Sequence, residues 1–78
     1  MKVKELIEKL KKCNPEATVF TNQWQEMDVN GVVVAKAKND EVIANTTQGL
    51  DEVVYIGDDF DELHYELEED GFIVQKIE

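Results

Sequence analysis

Arginine is absent from this 78-residue chain, and cysteine, proline, histidine and tryptophan each occur once. Each shortage excludes something. Without arginine the chain lacks the planar fork that grips phosphates and carboxylates bidentately. A single cysteine, Cys13, permits no intramolecular disulfide and rules out a four-thiolate zinc site. One histidine beside one cysteine leaves little inventory for nucleophilic catalysis, and nothing resembles a nucleophile elbow. No glycine-rich loop precedes a helical pattern, so a backbone cradle for phosphate is not encoded. No run approaches the roughly 20 apolar residues that span a bilayer. The charged opening Met1-Lys2-Val3-Lys4-Glu5 lacks the apolar centre of a signal peptide. These absences predict a cytoplasmic protein that is not an enzyme and carries no cofactor or metal.

What the chain has in excess is acid. Its formal net charge is −10, and the charge is unevenly placed. Residues 1–38 hold seven lysines and five acids, whereas residues 51–78 hold eleven acids and only Lys76. DNA, RNA and anionic membranes require a basic face and are disfavoured as partners; a basic protein surface is favoured. The length predicts one domain spanning residues 1–78, and a core of this size is worth about 3–5 kcal/mol net. The hydrophobic fraction of 42% suffices to build such a core.

Hydrophobic spacing outlines the elements. Val3, Leu6, Ile7, Leu10 and Cys13 recur at helical offsets, with Glu5–Lys9 and Glu8–Lys12 as favourable (i, i+4) pairs. Asn14-Pro15 stops this helix. Ala17 to Thr21 reads as a strand, with Val19 and Thr21 on one face and Thr18 and Phe20 on the other. Val32-Val33-Val34-Ala35 and Val42-Ile43-Ala44 read as two strand centres joined by a turn at Lys38-Asn39-Asp40. Asn30-Gly31 fits a type I′ turn joining Met27–Val29 to Val32–Ala35, or a bulge inside one longer strand. The shortness of the preceding arm favours the bulge. Glu52 to Ile56 forms another strand. Asp58 or Asp59 can then cap a helix with Phe60, Leu63 and Leu67 inward, and Glu62 stands in a loose capping-box position relative to Asp59. Gly71 suits the left-handed position after that helix, and Phe72 to Ile77 is the last strand. The predicted fold is α+β in the order α-β-β-β-β-α-β. It has a mostly antiparallel sheet of four to five strands with two helices on one face.

The second helix carries the sharpest signal. Residues 58–70 contain eight acids, Asp58, Asp59, Asp61, Glu62, Glu66, Glu68, Glu69 and Asp70, and no lysine. Like charges at (i, i+4) cost a few tenths of a kcal/mol per pair, and acids at a helix C-terminus oppose its dipole. A solvated face would ordinarily mix signs. The eight acids are therefore candidate partner-binding residues, able to imitate a phosphate track before a Lys/Arg groove. Trp24 joins them, since a tryptophan on a loop is a frequent interface anchor, although it also suits the core. His64, with Asp61 at i−3 and Glu68 at i+4, offers a weak metal-ligand constellation and is better read as a histidine beside carboxylates. Cys13 is read as a packing residue.

The opening from Val3 to Val19 resembles the start of many small phage and prophage proteins, which share a VKELI..L.K..P.A.V helix-turn-strand. They continue through a pattern like Asp28-Val29-Asn30-Gly31-Val32. Some small acidic phage proteins inhibit host machinery or defence systems, anti-CRISPR proteins among them. The resemblance implies a phage-derived accessory role in a bacterial host and assigns no residue of the acidic helix. The functional expectation is an inhibitor whose acidic surface occupies the basic groove of a nucleic-acid-handling protein. The alternative is a self-associating scaffold module, a homodimer that covers an unpaired strand edge.

Overall fold

Valine-rich runs at the middle of the chain become the middle of a sheet. The computed structural model describes residues 1–21, 29–42, 44–58 and 60–78. Its elements are helix α1 (Val3–Leu10), strands β1 (Thr18–Thr21), β2 (Gly31–Ala37) and β3 (Glu52–Gly57), helix α2 (Asp61–Glu69) and strand β4 (Phe72–Ile77), with one 3₁₀ turn at Asn45–Thr47. The sheet order is β1-β3-β2-β4. β2 pairs antiparallel with both β3 and β4, and β1 runs parallel to β3. The class is α+β, with two helices and four strands among the described residues.

Strand alternation then decides where the helices go. Val33↔Tyr55 and Ala35↔Val53 are cross-strand pairs on one face, and Val32↔Ile56 and Val34↔Val54 are pairs on the other. Both faces are apolar, so both need a cover. Val33, Ala35, Val53, Tyr55 and Phe72 form one cluster with Leu67, Leu63 and Phe60 of α2. Val32, Val54 and Ile77 form a second with Leu6, Leu10 and Cys13 from α1 and the turn after it. The two helices thus lie on opposite faces of the sheet, not on one face as the element order alone implied. An unbroken apolar run such as Val32-Val33-Val34-Ala35 is the mark of a strand buried on both sides.

The strand expected at Val42-Ile43-Ala44 does not form at its described residues, Val42 and Ala44; Ile43 lies outside them. Both edges of β2 are already taken, by β3 and β4, so the hairpin pairing expected with β2 is blocked. The Asn39 side chain accepts from the Glu41 amide at 2.9 Å, a local turn, but the chain then folds over the α2 face of the sheet. Val42 and Ala44 pack into the cluster beneath α2. Thr47 is fully buried, its hydroxyl donating to Leu50 O at 2.8 Å, and the Tyr55 hydroxyl donates to Thr46 O at 2.9 Å. The apolar residues serve the core without needing a ladder.

Other expectations also shift. Gly31 opens β2 and pairs with Gly57 in unbroken register, so Asn30-Gly31 is not a bulge within a strand. The hairpin arm from Met27 falls mainly on residues 22–28, outside the described residues. Gly31 instead admits a neighbour: a Cβ there would meet the Phe60 ring at 2.9 Å. In α1 the Glu5–Lys9 and Glu8–Lys12 pairs do not form. Lys9 donates to Ile77 O at 3.2 Å, Lys12 donates to Glu78 O, and Glu8 pairs with Lys11 at 3.2 Å. These lysines hold the helix to the end of β4. Leu6, Leu10 and Cys13 face the sheet, whereas Val3 remains 75% and Ile7 47% exposed. Helix α1 ends at Leu10, before Asn14-Pro15 is reached.

Leu67 is fully buried where α2 meets the sheet. Leu67→Ala should cost about 2–5 kcal/mol, comparable with the whole stability of a domain this small. Urea titration should show its cooperative transition largely lost. Val3→Ala should change the unfolding free energy by less than about 0.5 kcal/mol.

Candidate functional site: the acidic helix

Helix α2 is positioned by what it buries. Phe60, Leu63 and Leu67 share its inward side, which turns Asp61, Glu62, Glu66, Glu68 and Glu69 to solvent. Asp58 is half-buried and Asp70 exposed at the two ends. Of the two expected N-caps, Asp58 does not cap the helix. Phe60 occupies the position before the first turn, and no side chain among the described residues caps it. Asp58 accepts instead from the Asn30 side chain, and Asp59 lies outside the described residues. At the other end Gly71 has φ +96°, the conformation expected of it, and turns the chain into β4. The Thr46 hydroxyl donates to Asp70 at 2.9 Å.

The carboxylates differ in how far they are matched. Glu68 lies 2.8 Å from His64 Nε2, one turn away. Glu62, Glu66 and Glu69 make no ion pair among the described residues. The lysines that could neutralise them are remote: Lys2, Lys4, Lys9, Lys11 and Lys12 belong to α1 and its flanks, across the sheet. Lys76 shares the α2 face, opposite Val33 in the register. It lines a cleft of ≈ 340 Å³ with Val33, Phe60, Asp58, Asp61 and His64. The sheet therefore separates a lysine-rich layer from an acidic one.

Of the residues singled out in the sequence, the structure brings Asp61, Glu62, Glu66, Glu68 and Glu69 together on one exposed helix, with Asp58 and Asp70 at its ends. Trp24 lies outside the described residues. The sequence reading missed Tyr65. It is 65% exposed, and its (i±3) and (i±4) neighbours are Asp61, Glu62, Glu68 and Glu69, carboxylates at all four positions. That signal was available from helical spacing alone.

His64 and Cys13 sit on opposite faces of the sheet and cannot act as a pair. Among the described residues no three His, Cys, Asp or Glu side chains converge as a metal site. No helix among them is long and apolar enough to cross a membrane. Burial pushes the Cys13 thiol upward, and the Glu52 charge adds to the effect. Burial likewise raises the Tyr55 phenol. No protein-family model, curated protein or solved structure matches this chain.

A raised thiol means less thiolate at a given pH. At about pH 8, iodoacetamide should alkylate Cys13 more slowly in the folded protein than in the urea-unfolded chain. The same shifts set a pH dependence. Cys13 and Tyr55 favour folding fully below their unfolded values, and that contribution is lost as pH rises through the folded ones. The urea midpoint should fall as pH climbs past about 9, and Cys13→Ser with Tyr55→Phe should flatten the decline.

Proposed function

We propose that this chain is a non-enzymatic binding protein of the bacterial cytoplasm. In this reading it is a phage-type inhibitor that lays α2 into the basic, nucleic-acid-binding groove of a host or defence protein. One observation carries the reading: the carboxylates of α2 lie across the sheet from the α1 lysines, and Glu62, Glu66 and Glu69 have no cationic partner among the described residues. Carboxylates at successive (i, i+3) and (i, i+4) positions present an anionic track about 10 Å long between Glu62 and Glu69. Such a track raises encounter rates with a positive groove. The resemblance of Val3 to Val19 to phage and prophage proteins supplies the inhibitor part of the reading.

The test is capture from bacterial lysate at about 0.05 M and 0.5 M salt, with wild type beside a variant carrying Asp61→Lys, Glu62→Lys, Glu66→Lys and Glu69→Lys. All four positions are exposed, so the variant should keep its far-UV circular dichroism. Wild type should retain nucleic-acid-binding proteins that high salt and added duplex DNA release, and the variant should retain none of them. A captured set unchanged by salt, DNA and charge reversal would remove the electrostatic reading.

Self-association is the second reading, favoured by β4. This strand is an edge, and its Ile73 is 60% exposed. An unpaired edge invites pairing with a second copy. Helix α2 packs over β4, however, so joining two β4 edges would draw two acidic helices together on one face. Sedimentation equilibrium separates the readings. The inhibitor reading gives a monomer at about 0.15 M and 1 M salt alike; the scaffold reading gives a dimer that strengthens as salt screens the repulsion.

A further inference from the structure

We propose that Tyr65 is the anchor of a docking surface for an arginine side chain, presented by the basic partner of α2. The inference rests on the reading of α2 as a partner-facing helix and adds which cation that helix selects. Tyr65 takes no part in the core. The inward positions of α2 belong to Phe60, Leu63 and Leu67, while the Tyr65 ring is 65% exposed on the opposite side. On the helix surface its neighbours one turn before and one turn after are Asp61, Glu62, Glu68 and Glu69. An aromatic face thus stands at the centre of four carboxylates.

Charge complementarity commits this surface to a cation, and the ring decides which one. A guanidinium is planar, weakly hydrated and able to stack flat on an aromatic face while its edge N–H groups reach carboxylates on either side. A lysine ammonium is a compact, strongly hydrated point charge, which the carboxylates alone would satisfy. Exposed tyrosines and arginines are also the residues that dominate binding energy at protein interfaces. Glu68 also meets His64 at 2.8 Å, but no arginine can reach the ring from within. The chain contains no arginine, and Lys76, which shares the α2 face, lines the cleft on the inner side of the helix beside Val33 and Phe60. An arginine on this ring must come from another molecule.

The experiment uses octa-arginine and octa-lysine peptides as probes, measured by calorimetry at about 0.1 M salt. The proteins compared are wild type, Tyr65→Ala, Tyr65→Phe and the four-lysine charge-reversal variant. Tyr65 is exposed, so its substitutions should leave the circular dichroism unchanged. Wild type should bind octa-arginine tighter than octa-lysine. Tyr65→Ala should weaken octa-arginine binding by about two- to fivefold and leave octa-lysine binding as it was, and Tyr65→Phe, which keeps the ring, should behave as wild type. Equal affinity of wild type for the two peptides, or an arginine preference that survives Tyr65→Ala, overturns the role of Tyr65. If charge reversal still abolishes binding of both peptides in that event, the acidic-surface reading stands without it. If wild type binds neither peptide, both readings fall together.

Discussion

The structure depends on a pair of strands that is buried from both sides. β2 and β3 place valines, an alanine, an isoleucine and a tyrosine alternately above and below the sheet, and either face left uncovered would expose apolar area worth about 25 cal/mol per Å². One helix cannot cover both faces. The chain therefore sends α1 to one side and α2 to the other, and everything distinctive about the surface follows. Lysines that sequence order places with the first helix, and acids that it places with the second, end up separated by the thickness of the sheet. Had both helices packed on one face, Lys4 or Lys11 could have reached the carboxylates of α2, and the molecule would carry a mixed surface.

The elements themselves were largely legible in the sequence. β-branched runs marked β2, β3 and β4, helical spacing marked α1 and α2, and Gly71 marked the exit from α2 through its positive φ. The layering was harder, because element order does not say which face a helix takes. The continuous character of Val32-Val33-Val34-Ala35 did carry that information. A strand with one face in water alternates apolar and polar residues, and this one does not. The error at Val42 to Ala44 has a different origin. A short apolar run suits a strand or a buried loop equally well, and only the count of free edges separates them. Once β3 and β4 occupy β2, Val42 and Ala44 cannot pair with it, and they pack against the core instead.

The candidate site divides in the same way. The crowding of acids at 58–70 could be read directly, and so could Tyr65 had its (i±3) and (i±4) neighbours been checked. What the sequence hid was the local hydrogen bonding at the ends of the helix. Asp58 looked like a cap because aspartate before a helix usually is one, yet its carboxylate is drawn to Asn30 across the β2–β3 end. Asp70 is tied to Thr46, 24 residues away in sequence. Pairings of that kind depend on loops, whose paths are not periodic.

Helix α2 is kept by its buried side and not by its charges. Asp61 and Glu62 suit the positive end of the dipole, but Glu68, Glu69 and Asp70 oppose the negative end, and Glu62–Glu66 and Glu66–Asp70 repel at (i, i+4). Each term is a fraction of a kcal/mol, so together they cost roughly what one well-buried leucine returns. Leu67 and the Phe60 ring, lying over Gly31, supply that return. Because the apolar side holds the helix, the outward side is free to vary without unfolding the domain. Local stability would drive that freedom toward mixed charge. Uniform acid around an exposed tyrosine runs against that pressure.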